Sequence, residues 1–364
     1  MSLAKKQAKP LGKIELIAIA LGGMIGGGIF SILGVSVEAV GFAAPIAIFL
    51  GGILAYFSAY SYSQLAKYYQ DEGATYSFFK RTFPQQKFAI ASIGWLIVFG
   101  YMSTLALYAF TFSSYVCSLL PPDFGNYQRL AAFLILLFFS IVNLVSVNGM
   151  GKIEDIMVYT KVAILLVIAG LFIRSGESTK VVYEFTSNFS VADIFTVAAI
   201  TFVAYEGFQL VIHAYEETEN PRKNVPSAIY WAIGCTTFIY VVLSVGAIFT
   251  IPSELLIRDK EFALAAGASK FLGPVGYGIV IFGALLATSS AINGTIFGAS
   301  RLFAVIAEDG IFPKIFSIRK RGHIPQYSII AMSCFAFLFI LFGGLKAIIE
   351  FGSITFIGSS RIRV

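Results

Sequence analysis

The apolar residues of this chain fall into ten long runs, and the length of those runs decides the fold class. They cover roughly Ile14–Val35, Val40–Leu65, Phe88–Leu120, Leu130–Val147, Ile156–Ile173, Asp193–Ala214, Ala228–Ile251, Phe271–Ala299, Tyr327–Gly343 and Leu345–Ser360. A helix that crosses a bilayer needs about 20 mainly apolar residues. Within lipid every backbone amide and carbonyl must bond inside its own segment, so runs of this length imply helices. Strands of a membrane barrel are roughly ten residues long and alternate; these runs are longer and do not alternate. Composition agrees, because 57% of the residues are hydrophobic and only 13% are charged. A soluble domain is about a quarter charged, so the two soluble domains that 364 residues would allow could not be covered. The expected protein is all-α and polytopic, one transmembrane domain over residues 1–364. The first run is too long for the core of a signal peptide and opens a series of similar ones.

Lysine and arginine in the connections set the orientation. With the N-terminus in the cytoplasm, inside segments hold Lys5, Lys6, Lys9, Lys13, Lys67, Lys80, Arg81, Lys87, Lys152, Arg222, Lys223, Arg301, Lys314, Arg319, Lys320, Arg321, Arg361 and Arg363. Outside segments hold Arg129, Arg174, Lys180, Arg258, Lys260, Lys270 and Lys346. The imbalance favours both termini inside and an even number of spans. It also accounts for the formal net charge of +6 without a nucleic-acid partner. The tenth run is short and interrupted by Glu350, so it is expected to tilt poorly, to thin the bilayer, or to be the stump of a longer protein.

Other chemistries find little support. Cys117, Cys235 and Cys334 form neither a CxxC pair nor an even framework. His213 and His323 are too few for most metal sites and fall near loops. No cluster of nucleophile, base and acid lies in the spans, so an enzyme is not expected and no cofactor is implied.

Two spans carry interruptions. The first contains Gly22-Gly23-Met24-Ile25-Gly26-Gly27-Gly28. Each glycine costs a helix about 1 kcal/mol relative to alanine, and unwound backbone at mid-membrane is tolerated only beside protein or a wet cavity. The break leaves a second half-helix starting near Gly27–Ile29, whose free amides suit an anion such as a carboxylate. The carbonyls ending the first half, near Met24 and Ile25, suit a cation or an ammonium. The competing reading is helix packing, because Gly22/Gly26 and Gly23/Gly27 are also GxxxG pairs. A phosphate loop is disfavoured, since no Lys-Ser/Thr follows and no strand precedes.

The sixth span reads Thr201-Phe202-Val203-Ala204-Tyr205-Glu206-Gly207-Phe208. A carboxylate in mid-membrane is expensive and by default points to function, and Gly207 marks a second break. Spans one and six are five apart, the relation expected of two five-helix inverted repeats, here about residues 13–174 and 192–360. Glu206 reads either as a site carboxylate or as one bonded to backbone or paired with Lys161 for packing. Lys161 is the other charge inside a span. Burial disfavours the charged form of a lysine, which makes its proton exchangeable in the working pH range; the alternative is snorkelling to the interface.

With these motifs in place, the chain resembles the amino acid–polyamine–organocation superfamily of secondary transporters over nearly its whole length. Gly26-Gly27-Gly28-Ile29-Phe30 matches the GxGIF signature of helix one. Phe202-x-Ala204-Tyr205-x-Gly207-Phe208 resembles the break of helix six. The segment from Glu216-Glu217 through Asn220-Pro221 to Pro226 resembles the loop after it, and Ser300-Arg301-Leu302 with Glu308-Asp309-Gly310 and Pro313 resembles the segment after helix eight. The resemblance implies a LeuT-like five-plus-five inverted repeat with discontinuous helices one and six. It implies that Gly26–Gly28 bind the substrate carboxylate, that carbonyls of Ile25, Phe202 and Tyr205 bind its amine, and that Phe202 caps it. Met24, Ala204, Glu206 and Gly207 complete the expected substrate site. Lys161 looks like the helix-five lysine of proton-coupled members, standing where sodium-coupled relatives hold the ion. In that arrangement it would face carbonyls near Gly22 and a helix-eight hydroxyl, Ser289 or Ser290. Many members have an uncharged residue where Glu206 stands, so a cationic substrate or a titrating Glu206 is expected.

The expected function is uptake of an amino acid or related amine across the plasma membrane, with protons, by alternating access. Two rivals are an exchanger of amino acid and amine pairs, and a truncated membrane protein that does not transport. The partners are the small-molecule substrate, protons and the lipid bilayer; oligomeric state is not readable.

Overall fold

In the computed structural model the described residues are 10–121, 127–145, 147–176, 190–259, 262–320, 324–343 and 348. The tenth run lies outside them except for Ile348, as do Lys346, Glu350 and His323. The long elements are helices throughout. The first run is two of them, α1 (Lys13–Met24) and α2 (Gly28–Val40). At 1.5 Å per residue each is about 18–20 Å long, short of the roughly 30 Å hydrocarbon core. Then follow α3 (Ala44–Tyr69), the short α4 (Ala74–Thr82), α5 (Lys87–Ser118), α6 (Gln128–Val145) and α7 (Val147–Ser175).

The sixth run begins with α8 (Val191–Thr201), whose start is fixed by a capping box between Ser190 and Asp193. It continues as a 3₁₀ turn, Phe202–Tyr205, and resumes after Gly207 as a 3₁₀ segment, Phe208–Glu217. The remaining helices are α9 (Pro221–Thr250), α10 (Ser253–Asp259), α11 (Ala263–Glu308) and α12 (Gln326–Phe342). The 46 residues of α11 would run about 69 Å if straight. They do not, because Gly273 takes φ +71° ahead of Pro274 and kinks the helix. The spanning part therefore begins near the Phe271 read from sequence.

The broken first span sits in the middle of the fold. Its half α1 packs against α7, α9, α11 and the 3₁₀ segment of span six. On one side α3 packs on α8 and α9; on the other α5 packs on α6, α11 and α12. Large apolar side chains such as Phe57, Trp231 and Phe342 face outward, as a lipid-contacting surface requires. The chain is a multi-pass membrane protein.

Candidate functional site

The two interruptions meet. Helix α1 ends at Met24, Ile25 leaves helical geometry at φ −85° and ψ 73°, and Gly27 caps α2. Opposite it, Gly207 adopts φ +125°, a conformation that needs a residue without a side chain. A β-carbon on Gly23 would lie 3.0 Å from the Gly207 carbonyl oxygen and 3.2 Å from its Cα, so the two glycines are back to back. Gly22 is filled in the same way by Glu154 of α7, whose Oε1 occupies the place of a β-carbon. These two glycines serve close packing. Gly27 and Gly28 differ, since a β-carbon there would meet nothing nearer than 3.6 Å. Close packing thus accounts for Gly22 and Gly23, while Gly27 and Gly28 have only ordinary contacts around them.

Carbonyls at the end of α1 do hold a cation, and it is the protein's own. Lys161 Nζ, fully buried, donates to Ile25 O at 2.6 Å, to Gly22 O at 3.3 Å and to Ser290 Oγ. The Ser290 hydroxyl donates in turn to Ala287 O at 3.1 Å, which leaves a lone pair for the lysine. Three acceptors match the three hydrogens of an ammonium. Of the two candidate hydroxyls, Ser290 makes this contact. Lys161 points at helix one and not at the interface, and its hydrogen bonds do not run to Glu206.

Tyr240 of α9 ties the breaks together. Its hydroxyl donates to Met24 O at 2.8 Å and to Ala204 O at 3.2 Å. A hydroxyl has one hydrogen, so the two unwound carbonyls share it. Tyr205 turns away, donating to Ile48 O of α3 at 2.9 Å. Replacing Tyr240 with phenylalanine removes the donor that these two carbonyls share, leaving Met24 O with the Gly26 amide at 3.0 Å, at about 1–3 kcal/mol. We expect a lower melting temperature together with a raised KM for uptake; an unchanged melt would show that the bond holds nothing in place.

The open side of the breaks is lined from α5 and α11. Gly26 abuts Ala291 Cβ, 3.1 Å from where its own β-carbon would stand, and the Tyr108 ring at 3.2 Å; Thr111 and Thr288 face Gly27. Ala204 faces Gly28. Glu206, between the two 3₁₀ segments of span six, is half-buried. Phe202 is half-buried against the core.

At one end of the bundle, connections with many basic residues lock together. Arg301 of α11, buried, donates from Nε to Glu217 Oε1 at 2.9 Å and from Nη1 to Phe297 O at 2.9 Å. Glu72, between α3 and α4, is paired with Arg319, and its carbonyl accepts from His213 Nδ1 at 2.6 Å. Burial pushes the Glu72 carboxyl up to about 7, against the pull of Arg319. Tyr76 and Lys80 both hold Asp309, at 2.6 and 2.5 Å, and Leu11 exchanges backbone bonds with Glu217 and Glu219 at 2.7 and 2.9 Å. All these groups come from segments assigned to one side by their lysines and arginines. The motifs around Glu217 and Arg301 are partners in one ion pair.

Tyr108, Thr111, Tyr240, Thr288, Glu154 and Asn293 were not foreseen. One signal for Glu154 was present: it precedes Lys161 by seven residues, nearly two full turns, which puts both on one face of α7.

The sequence pattern described as amino acid permease matches residues 15–360. An uncharacterized protein of Methanocaldococcus jannaschii is 31% identical over 352 residues, covering 96% of this chain and 80% of that protein. The large neutral amino acids transporter small subunit 2 of Oryctolagus cuniculus is 30% identical over 353 residues, 92% of this chain and 64% of that one. Among solved structures, the substrate-bound outward-open state of a Na+-coupled sialic acid symporter is similar at a TM-score of 0.69 and 10% identity, covering 98% of this chain and 80% of that chain. At that identity the likeness is one of fold.

Proposed function

The chain belongs to the amino acid permease family, and from that premise we propose that it carries amino acids inward together with protons, by alternating access. Its fold is LeuT-like, and it is a membrane transporter of amino acids or related organic substrates, not an enzyme. The observation that carries the proton-coupled reading is the ammonium of Lys161, fixed on Gly22 O, Ile25 O and Ser290 Oγ at the break of helix one. With its proton, Lys161 holds the end of α1. Without it one acceptor loses its partner and the break relaxes. A proton bound to one conformation better than the other couples its gradient to substrate movement.

The substrate carboxylate meets the amides at the start of α2, at Gly27 and Gly28, where a β-carbon would find only ordinary contacts and the helix dipole is favourable; the Gly26 amide beside them donates to Met24 O at 3.0 Å. Carbonyls of Phe202 and Tyr205 receive the amine, and Glu206 reads positive charge on the substrate. Lys161, Tyr240 and the network around Arg301 hold the surrounding helices. The N-terminus lies in the cytoplasm, as the distribution of basic residues favours, and the membrane proposed is the plasma membrane.

Purified protein in proteoliposomes tests this. An inwardly directed proton gradient is expected to drive accumulation of at least one amino acid from a full panel. No accumulation of any of them sinks the reading, and counterflow that proceeds without a pH gradient would favour an exchanger. Glu206→Gln separates the role of its carboxylate: loss of uptake confined to basic amino acids supports a charge reader, whereas equal loss for all substrates supports packing.

A further inference from the structure

Glu154 is fully buried in α7, close to its Lys152 end, and the mechanism above does not use it. Its Oε2 accepts from Asn293 Nδ2 at 2.6 Å, and Asn293 Oδ1 accepts from Asn143 Nδ2 at 2.9 Å. Its Oε1 has no hydrogen-bond partner among the described residues. That oxygen lies against Gly22 of α1, the residue whose carbonyl accepts from Lys161. Two ionisable groups of α7, about 10 Å apart along the axis, therefore bracket one glycine of the broken helix.

A carboxylate here would be an anion with one neutral donor and no basic group at ion-pair distance among the described residues. Taking a charge out of water costs several kcal/mol when no partner compensates. As an acid the group carries no such charge. The cost changes when α1 moves, because Gly22 packs directly on Oε1, with Gly294 of α11 farther off. The charged groups that act on Glu154 are Lys161 and Asp155, both on α7; α1 presents Gly22, and α11 presents Asn293 and Gly294, none of which titrates.

We propose that Glu154 is a second proton-binding site, filled while α1 is seated on α7 and emptied when α1 withdraws. This rests on the proton-coupled reading and extends it. Withdrawal lets water reach Oε1. The O–H bond breaks, its electron pair stays on the carboxylate, and the proton leaves in water toward the Lys152 end of α7, the cytoplasmic end in the orientation proposed. By linkage, a proton on Glu154 favours the seated conformation by the factor that seating favours the proton.

Glu154→Gln tests it. Glutamine keeps the bond from Asn293 and mimics the acid permanently, so the variant is expected to fold with the parent's melting temperature. The infrared difference between parent and variant should show the carbonyl stretch of a protonated carboxylic acid in the parent only. Gradient-driven uptake of the best-accumulated amino acid should fall at least about tenfold, within the range typical of coupling between sites, while that amino acid still raises the melting temperature. An unchanged pH profile of uptake in the variant, or no such infrared band in the parent, overturns the proposal. If the parent itself ignores the gradient, proton-coupled transport fails as a reading. The band then decides alone: its loss in the variant supports a proton on Glu154, and its absence from the parent refutes one.

Discussion

Gly207→Ala is expected to abolish uptake and to lower the melting temperature more than any other single methyl added to the two breaks. At φ +125° an L side chain is strained, at about 1–3 kcal/mol for such a conformation. The added carbon also has nowhere to go, because it would press on the backbone of Gly23 and Met24. Overpacking of this kind costs a further 1–3 kcal/mol or so. The helices must separate or Gly207 must leave its conformation, and either change moves the carbonyls of span six away from the end of α1. The control is Gly27→Ala. Its β-carbon meets Thr111 Cγ2 at 3.6 Å and Thr288 Cγ2 at 3.9 Å, ordinary contact distances. That variant should melt with the parent and still lose uptake, since the methyl enters the space assigned to the substrate carboxylate. Thermal melts in detergent beside uptake assays read both. Equal melting of Gly207→Ala and the parent would remove the packing role; unimpaired uptake by Gly27→Ala would remove the anion site.

This contrast shows where sequence reasoning reaches its limit. Five glycines in seven residues announce a break in span one, and Glu206-Gly207 announces one in span six, because each violates the requirements of a lipid-embedded helix. Lys161 is visible for the same reason: a charge in an apolar run stands out. What a rule violation cannot show is direction. In a soluble helix polar residues mark the outer face, but in a membrane both the lipid face and the core face are apolar, so the rotation of α5, α9 or α11 is hidden. Tyr108, Tyr240 and Thr288 are ordinary residues of such helices, and only the fold turns them toward the breaks. Long-range pairing is hidden as well. Met24 and Tyr240 are 216 positions apart, and Glu154 and Asn293 139. The carbonyls near Ile25 illustrate the mixture: their affinity for an ammonium is legible from the break, while its source, Lys161, emerges from the packing of α7 on α1.

Lys161 carries the second large effect. Lys161→Ala removes the donor from Gly22 O, Ile25 O and Ser290 Oγ together. A buried acceptor left unpaired costs about 1–3 kcal/mol, so the two carbonyls together put several kcal/mol at risk even if water enters the cavity and recovers part, while Ser290 keeps its bond to Ala287 O. The variant should melt well below the parent and transport nothing. That result alone would not separate a structural lysine from a proton carrier, because both predict it. Lys161→Gln does separate them. The amide offers two hydrogens in place of three and can reach the nearer acceptors, so the break of helix one keeps most of its support and the protein should fold. It has no exchangeable proton in the working range. If Lys161 carries the coupling proton, imposed pH gradients should no longer change uptake by the glutamine variant, while substrate still shifts its melting temperature and counterflow persists. If its role is only to hold the break, the glutamine variant should follow the gradient as the parent does, with reduced rates at every pH. Gradient-dependent uptake retained in Lys161→Gln would therefore strip the lysine of its coupling role and leave its hydrogen bonds to explain the alanine variant.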